Sequence, residues 1–206
     1  ELKGPTYSIS SACSSSNHAI SNAYSLIRSG ETKVMIAGGS EAMLTFGSLK
    51  AWEGLRVMSK TGCRPFCSTR NGLVQGEGSA IFVLEDYDYA KQRGAHIFAE
   101  ILGCSMTSDG TDLVSPSLNG VKKAMLKSLN SAKINPDSID YINAHGTGTK
   151  INDKVEANAI CEVFSQISNQ PLVSSTKSMH GHVMGASGAI ELLSCIYSLN
   201  HNVIMP

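Results

Sequence analysis

The strongest constraint in this sequence is a repeated change of hydrophobic period. Short apolar runs give way, through small polar residues, to longer stretches with apolar side chains every three to four positions. Strand-like runs alternating with helix-like ones favour an α/β arrangement over an all-β one. Runs at 6–10, 34–37, 78–84, 97–106, 141–144 and 172–173 predict strands. The run at 34–37 reads as a buried strand closed by Gly38-Gly39. Helices are predicted over 14–29, 86–93, 119–132, 152–164 and 185–199. Gly30 and Gly94 stand just past the ends of the first two. Asp153 lies in the first turn of the fourth, where the helix dipole favours a negative charge. The last helix is apolar enough to be buried. The Arg-, Cys- and Gly-rich segment 55–72 follows neither period and reads as a surface loop.

Composition excludes several classes. Of 206 residues, 42% are hydrophobic and 17% charged, which suits a globular chain with a core and not a disordered one. Lys+Arg and Asp+Glu each number 17, so a net charge of zero argues for neither nucleic acid nor an anionic membrane as partner. Six cysteines, none in a Cys-x-x-Cys pair, read as reduced thiols of a cytoplasmic protein. Residues 1–5 lack the pattern of a signal peptide, and no run of about 18 apolar residues could span a membrane.

Chemistry-bearing residues collect where predicted strands run into predicted helices. In Ser10-Ser11-Ala12-Cys13-Ser14-Ser15-Ser16 a sharp turn would set Cys13 at a helix N-terminus. Unpaired N–H groups and the positive dipole end there favour a thiolate, and also an oxyanion on a thioester it attacks. The competing reading is a buried structural thiol; small residues on both sides, which leave open approach, weigh against it. Asn143-Ala144-His145-Gly146-Thr147-Gly148-Thr149 puts His145 at a strand's C-terminal end, a common location for sites in open α/β sheets. The hydroxyls of Thr147 and Thr149 can bond a polar substrate arm. Taken alone, this motif is equally a tight turn with a satisfied histidine. Ser174-Ser175-Thr176-Lys177-Ser178-Met179-His180-Gly181-His182 lies at a similar junction, followed by Gly185-Ala186-Ser187-Gly188, whose small residues permit close packing of a helix start. Lys177, between apolar segments, needs an acidic partner if buried, and Glu191, the acid of the last helix, is the candidate. His180-x-His182 with His145 invites a zinc reading. The pair has no acidic or cysteine ligand at motif spacing, so no metal is expected.

Cys13 after a strand, then His-Gly-Thr-Gly-Thr, then Lys-Ser-Met-x-Gly-His, in that order, closely resemble the β-ketoacyl-[acyl-carrier-protein] synthases of the elongating type. Further blocks agree: Gly-Pro-Thr-Tyr-Ser-Ile before the cysteine, Ala37-Gly38-Gly39-Ser40-Glu41, Gly76-Glu77-Gly78, Leu84-Glu85 and Asp153-Lys154-Val155-Glu156-Ala157. The resemblance covers nearly the whole chain. It implies a thiolase-like layered αβαβα fold, of which this chain would hold the central part: 1–100 the end of the N-terminal half and 101–206 the start of the C-terminal half. It implies that Cys13 takes an acyl chain from acyl-carrier protein, and that His145 and His182 stabilise the enolate formed when malonyl-ACP loses carbon dioxide. Lys177 and Glu191 match the family's buried lysine and its salt-bridge partner. Thr147 and Thr149 match threonines on the phosphopantetheine arm, and Asp153 and Glu156 match acids in structural or supporting positions. No cofactor is implied beyond the carrier's phosphopantetheine, and a homodimer is expected.

The departures also carry meaning. Family members run to roughly twice this length, so the chain reads as a fragment. His180 stands where housekeeping members usually carry Thr, Lys150 where Pro is commoner, and Ser11, Cys104 and Val114 also differ. This wording resembles specialised branches such as nodulation-factor synthases and polyketide ketosynthases. Two rival functions are weighed. A non-catalytic chain-length partner of the same fold would typically lack the nucleophile, which is present here. A thiolase would need a second cysteine on a late loop, whereas Cys195 falls inside the predicted last helix.

Overall fold

The computed structural model describes residues 3–112 and 114–206; the start of the 1–5 segment lies outside them. The chain divides into two compact units that do not follow chain order. The first takes the residues up to Ala42, Glu77–Ile101 and Val183–Val203, and the second Met43–Gly76, Leu102–His182 and Ile204–Pro206.

In the first unit, β1 (Val34–Glu41) and β2 (Gly78–Glu85) form an antiparallel pair in register from Val34↔Glu85 to Glu41↔Gly78. Helix α1 (Ser15–Arg28) and the last helix, Ser187–His201, pack against this pair. Ile20, Ala80 and Ala189 form the buried centre, with Ala37, Phe82 and Leu84 from one face of the strands. Alternation along the pleat turns Ile36, Ile81 and Val83 to the other face, where they are exposed. The expectation of a buried strand is therefore corrected to a one-sided one. Gly38-Gly39 does not close β1 but lies inside it. A Cβ on Gly39 would sit 2.8 Å from Ser16 Cβ and 2.9 Å from the Ala186 backbone, so glycine permits that close approach.

In the second unit, the parallel strands β3 (Tyr141–Asn143) and β4 (Leu172–Ser174) are paired Tyr141↔Leu172 to Asn143↔Ser174. The helix Lys150–Phe164 connects them, the crossover that parallel pairing requires. It packs on the helix Leu118–Ala132. Ala144, Ile160 and Phe164 are buried here against Phe66, Met125, Ile139 and Ile142. In chain order the helices are α1, α2 (Phe46–Gly54), α3 (Tyr87–Gln92), α4 (Leu118–Ala132), α5 (Lys150–Phe164), α6 (Lys177–His180) and α7 (Ser187–His201). Asp86 caps α3 by accepting from Tyr89 N at 3.0 Å, and Ser117 caps α4 by accepting from Gly120 N at 3.4 Å.

Two expected strands are absent among the described residues. Segments 6–10 and 97–106 form no ladder, because a strand persists only where another edge takes its N–H and C=O groups, and none pairs with either. Helix α2 has no counterpart among the predicted helices, since its two glycines weaken the helical signal. Helix α7 is not fully buried as expected; Leu193, Tyr197 and Leu199 are exposed. The described helices are too short or too polar to cross a membrane, and the six cysteines carry no disulfide.

Candidate active site

Cys13 belongs to the first unit, directly before Ser14, the N-cap of α1. The turn that delivers it is tight. Ala12 takes a φ of 52°, a left-handed value rare for a residue with a Cβ. Local bonds hold that conformation: Ser11 N donates to Ser15 Oγ at 2.9 Å, and Ser14 Oγ to Ser11 O at 2.8 Å. Ser15 Oγ donates to Ala12 O at 2.6 Å. The serine run is thus the fastening of the turn, and it leaves Cys13 half-buried at the positive end of a 14-residue helix. Ser16 Oγ accepts from Ala189 N at 3.0 Å, and a Cβ on Gly188 would lie 2.4 Å from Asn17 Oδ1. The small residues that open α7 let it seat on α1, as the sequence suggests. Glu191 is half-buried on α7, within this unit.

The second unit brings His145, Lys177 and His182 together. His145 follows β3 and the Lys177–His182 segment follows β4, so both leave the C-terminal ends of neighbouring parallel strands. The two imidazoles meet edge to face, with ring centroids 5.3 Å apart. Lys177 is 0% exposed, and its Nζ donates to His145 O at 2.6 Å and stands 3.3 Å from His145 Nδ1. Burial first, then the Lys177 cation, then His182, hold the His145 pKa far below the ordinary imidazole value. Burial, Lys177 and His180 push His182 down to about 3. Both rings are therefore neutral at physiological pH, each with one N–H to give.

The acids expected in supporting positions grip this loop by its backbone. Glu156 is buried and accepts from His145 N and Gly146 N, each at 2.7 Å; burial pushes its pKa up, and those two donors oppose the rise. Asp153, equally buried, accepts from Gly148 N at 3.2 Å and Phe66 N at 2.8 Å. Thr147 is buried, Thr149 half-buried, and their hydroxyl oxygens are 2.8 Å apart. His180 accepts at Nε2 from Thr176 Oγ1 at 3.0 Å, and its Nδ1 lies 2.7 Å from Gly181 O, so both ring nitrogens have partners.

Segment 55–72 is not the free surface loop expected. Gly72 N donates to Gly148 O at 3.0 Å, Cys63 Sγ to Thr147 O at 3.5 Å, and Arg70 Nε to Thr149 O at 3.3 Å. A Cβ on Gly148, at φ 78°, would fall 2.8 Å from Gly72 O. Cys63, Phe66 and Arg70 thus support the His145 loop. No local signal in the sequence points to their partners, because Thr149 lies 79 residues from Arg70 and Asp153 lies 87 from Phe66.

Residues 1–90 match the N-terminal domain of beta-ketoacyl synthase and residues 98–206 its C-terminal domain. The chain is 48% identical over 205 residues to nodulation protein E of Rhizobium leguminosarum bv. trifolii, covering 100% of this chain and 51% of that protein. It is 37% identical over 211 residues to 3-oxoacyl-[acyl-carrier-protein] synthase 2 of Staphylococcus aureus, covering 99% and 52%. Among solved structures, one described as a type II PKS acyl-carrier protein in complex with its ketosynthase bound to the hexaketide matches with a TM-score of 0.92 at 34% identity, covering 98% of this chain and 52% of that one. The chain spans about half the length of these relatives. Its fold is the thiolase-like α/β fold of ketosynthases, present here in part. Matched over residues 1–90 and 98–206 by the two domains of beta-ketoacyl synthase, the chain belongs to the beta-ketoacyl synthase family.

Proposed function

We propose that the protein is an acyltransferase that joins an acyl group carried on Cys13 to malonyl-ACP, with loss of carbon dioxide, to give 3-oxoacyl-ACP. The observation that carries this reading is the neutral His145–His182 pair with Lys177 fixed beside it. Cationic imidazoles would protonate a carbanion; neutral ones donate hydrogen bonds to the oxygen on which its charge resides. Family membership and the half-buried cysteine at the start of α1 agree with it.

The Cys13 thiolate attacks the acyl thioester and the carrier thiol leaves, forming acyl-Cys13. Malonyl-ACP then loses carbon dioxide, and the electrons of the broken C–C bond become an enolate held by N–H groups of His145 and His182. The enolate carbon attacks the acyl carbonyl, and the tetrahedral intermediate expels the Cys13 thiolate. Dividing one hard displacement into two is the gain of covalent catalysis. Thr147 and Thr149 bind the phosphopantetheine arm, and Glu191 serves as counter-charge to Lys177. The protein acts as a cytoplasmic homodimer, with acyl-carrier protein as its partner and no cofactor of its own.

A second reading concerns product, not chemistry. Identity is 48% to a nodulation protein E against 37% to a 3-oxoacyl-ACP synthase 2, which favours a specialised acyl chain over housekeeping elongation. A chain-length partner without catalysis is disfavoured by the retained Cys13. The test is acylation of the complete natural protein by acyl-ACP, read by intact and peptide mass spectrometry. Label on Cys13, lost in Cys13→Ala, and malonyl decarboxylation lost in His145→Ala and His182→Ala are expected. No label on Cys13, or equal label on Cys63, Cys67 and Cys161, would overturn the assignment.

A further inference from the structure

Gln75 is 6% exposed, yet neither Nε2 nor Oε1 of its side chain has a hydrogen-bond partner among the described residues. A buried amide that no protein group bonds is costly enough that native proteins rarely tolerate it without a role. The surrounding run, Leu73-Val74-Gln75-Gly76, is otherwise apolar, so a methionine or leucine would fill the same space at no such cost. Its location is informative. Gln75 and His182 are partners in a parallel bridge, with His182 N donating to Val74 O at 2.6 Å and Gly76 N to His182 O at 3.0 Å. Partners in such a bridge send their side chains to the same side of the backbone. The carboxamide therefore leaves on the side of the His182 imidazole, which is itself 1% exposed.

We infer that Gln75 is a specificity-determining residue, whose carboxamide binds a keto or hydroxyl oxygen of a thioester substrate bound at His182. The inference rests on the condensing reading above and deepens it. The amide N–H donates to a keto oxygen, and the amide oxygen accepts from a hydroxyl. A plain alkyl chain offers neither and leaves both atoms without a partner. A site built to bond a polar group rejects the analogue that lacks it more strongly than an apolar pocket rejects an extra polar group.

The test uses the complete natural protein and its Gln75→Met variant. Each is titrated calorimetrically with two unreactive pantetheine thioethers of equal chain length, one bearing a 3-oxoalkyl and one a plain alkyl chain. The wild type is expected to bind the oxo ligand about tenfold more tightly. Gln75→Met should bring the two within about twofold, by weakening the oxo ligand alone, and should melt at the same temperature or higher, since it removes an unpartnered buried amide. Equal loss for both ligands, no preference in the wild type, no binding of either, or a lower melting temperature with the preference intact would each overturn the inference. Binding with the expected preference but no acylation of Cys13 would sink the condensing reading while leaving the subsite. Acylation without the preference would do the reverse.

Discussion

The Lys177 ammonium lies 3.3 Å from Nδ1 of His145 and 2.6 Å from the same residue's carbonyl oxygen. An ammonium has only donors, so the Nδ1 it approaches is the lone-pair nitrogen, and the ring proton sits on Nε2. The backbone contact fixes the peptide and the ring contact fixes the tautomer, both from one buried charge.

Lys177→Met should therefore disturb His145 in two measurable ways. Loss of the cation removes one of the forces that lower its pKa while burial, the larger one, remains, so the acid limb in the pH profile of malonyl decarboxylation should move to higher pH but stay below the ordinary imidazole value. The rate at neutral pH should fall about a hundredfold as the fixed N–H is lost. An unchanged rate and profile would mean that the tautomer is set elsewhere.

Folding stability should fall on acidification. The folded-state value of His182, about 3, lies below its unfolded value, so the unfolded chain takes the proton first as pH drops. Stability is complete above about pH 6.5 and is lost as pH falls from there toward 3, by about 2 kcal/mol at pH 5. His145 shifts in the same direction, and Glu156, raised by burial, in the opposite one. Comparing urea midpoints at pH 7.5 and 5 in wild type and His182→Gln isolates the His182 share, and equal slopes would refute it.

Glu156→Gln should destabilise more than a surface change of the same type. Glu156 gives one oxygen to each of two backbone N–H groups, and a carboxamide has only one oxygen to offer. One buried N–H is left facing an NH2, at a cost of about 1–3 kcal/mol. Asp153→Asn faces the same conflict between Gly148 N and Phe66 N. Denaturant titration measures both, and His145 ring resonances should move in the Glu156 variant.

Gly39→Ala tests what seats the start of α1. The new methyl would meet Ser16 Cβ at 2.8 Å and the Ala186 backbone at 2.9 Å, too close for either to absorb without movement. A loss of about 1–3 kcal/mol is expected, with slower alkylation of Cys13 as the first turn shifts. Wild-type stability and labelling would show that the turn is held by its serine bonds alone.

Local signals carried far in this chain. Helix α1 spans Ser15–Arg28 where 14–29 is predicted, β2 spans Gly78–Glu85 where 78–84 is predicted, and α3 begins after the capping Asp86. Caps, glycine stops and apolar period are properties of neighbours in sequence, so they can be read there. His145 and Lys177 each fall where a strand ends, which also follows from the order of residues.

What only the tertiary structure decided depends on partners far along the chain. Residues 6–10 and 97–106 have strand composition, but no edge among the described residues pairs with them. The segment 55–72 looks like surface until Gly72, Arg70 and Phe66 find Gly148, Thr149 and Asp153 far along the chain. Lys177 invites an acidic partner on sequence grounds, and the geometry sets it against the ring and carbonyl of His145. The sequence by itself determined which side chains stand at the ends of which strands, because spacing and local propensity decide that. Which nitrogen of His145 keeps its proton, and which amide is buried beside His182, were decided by packing, because hydrogen bonds and desolvation act across space and not along the chain.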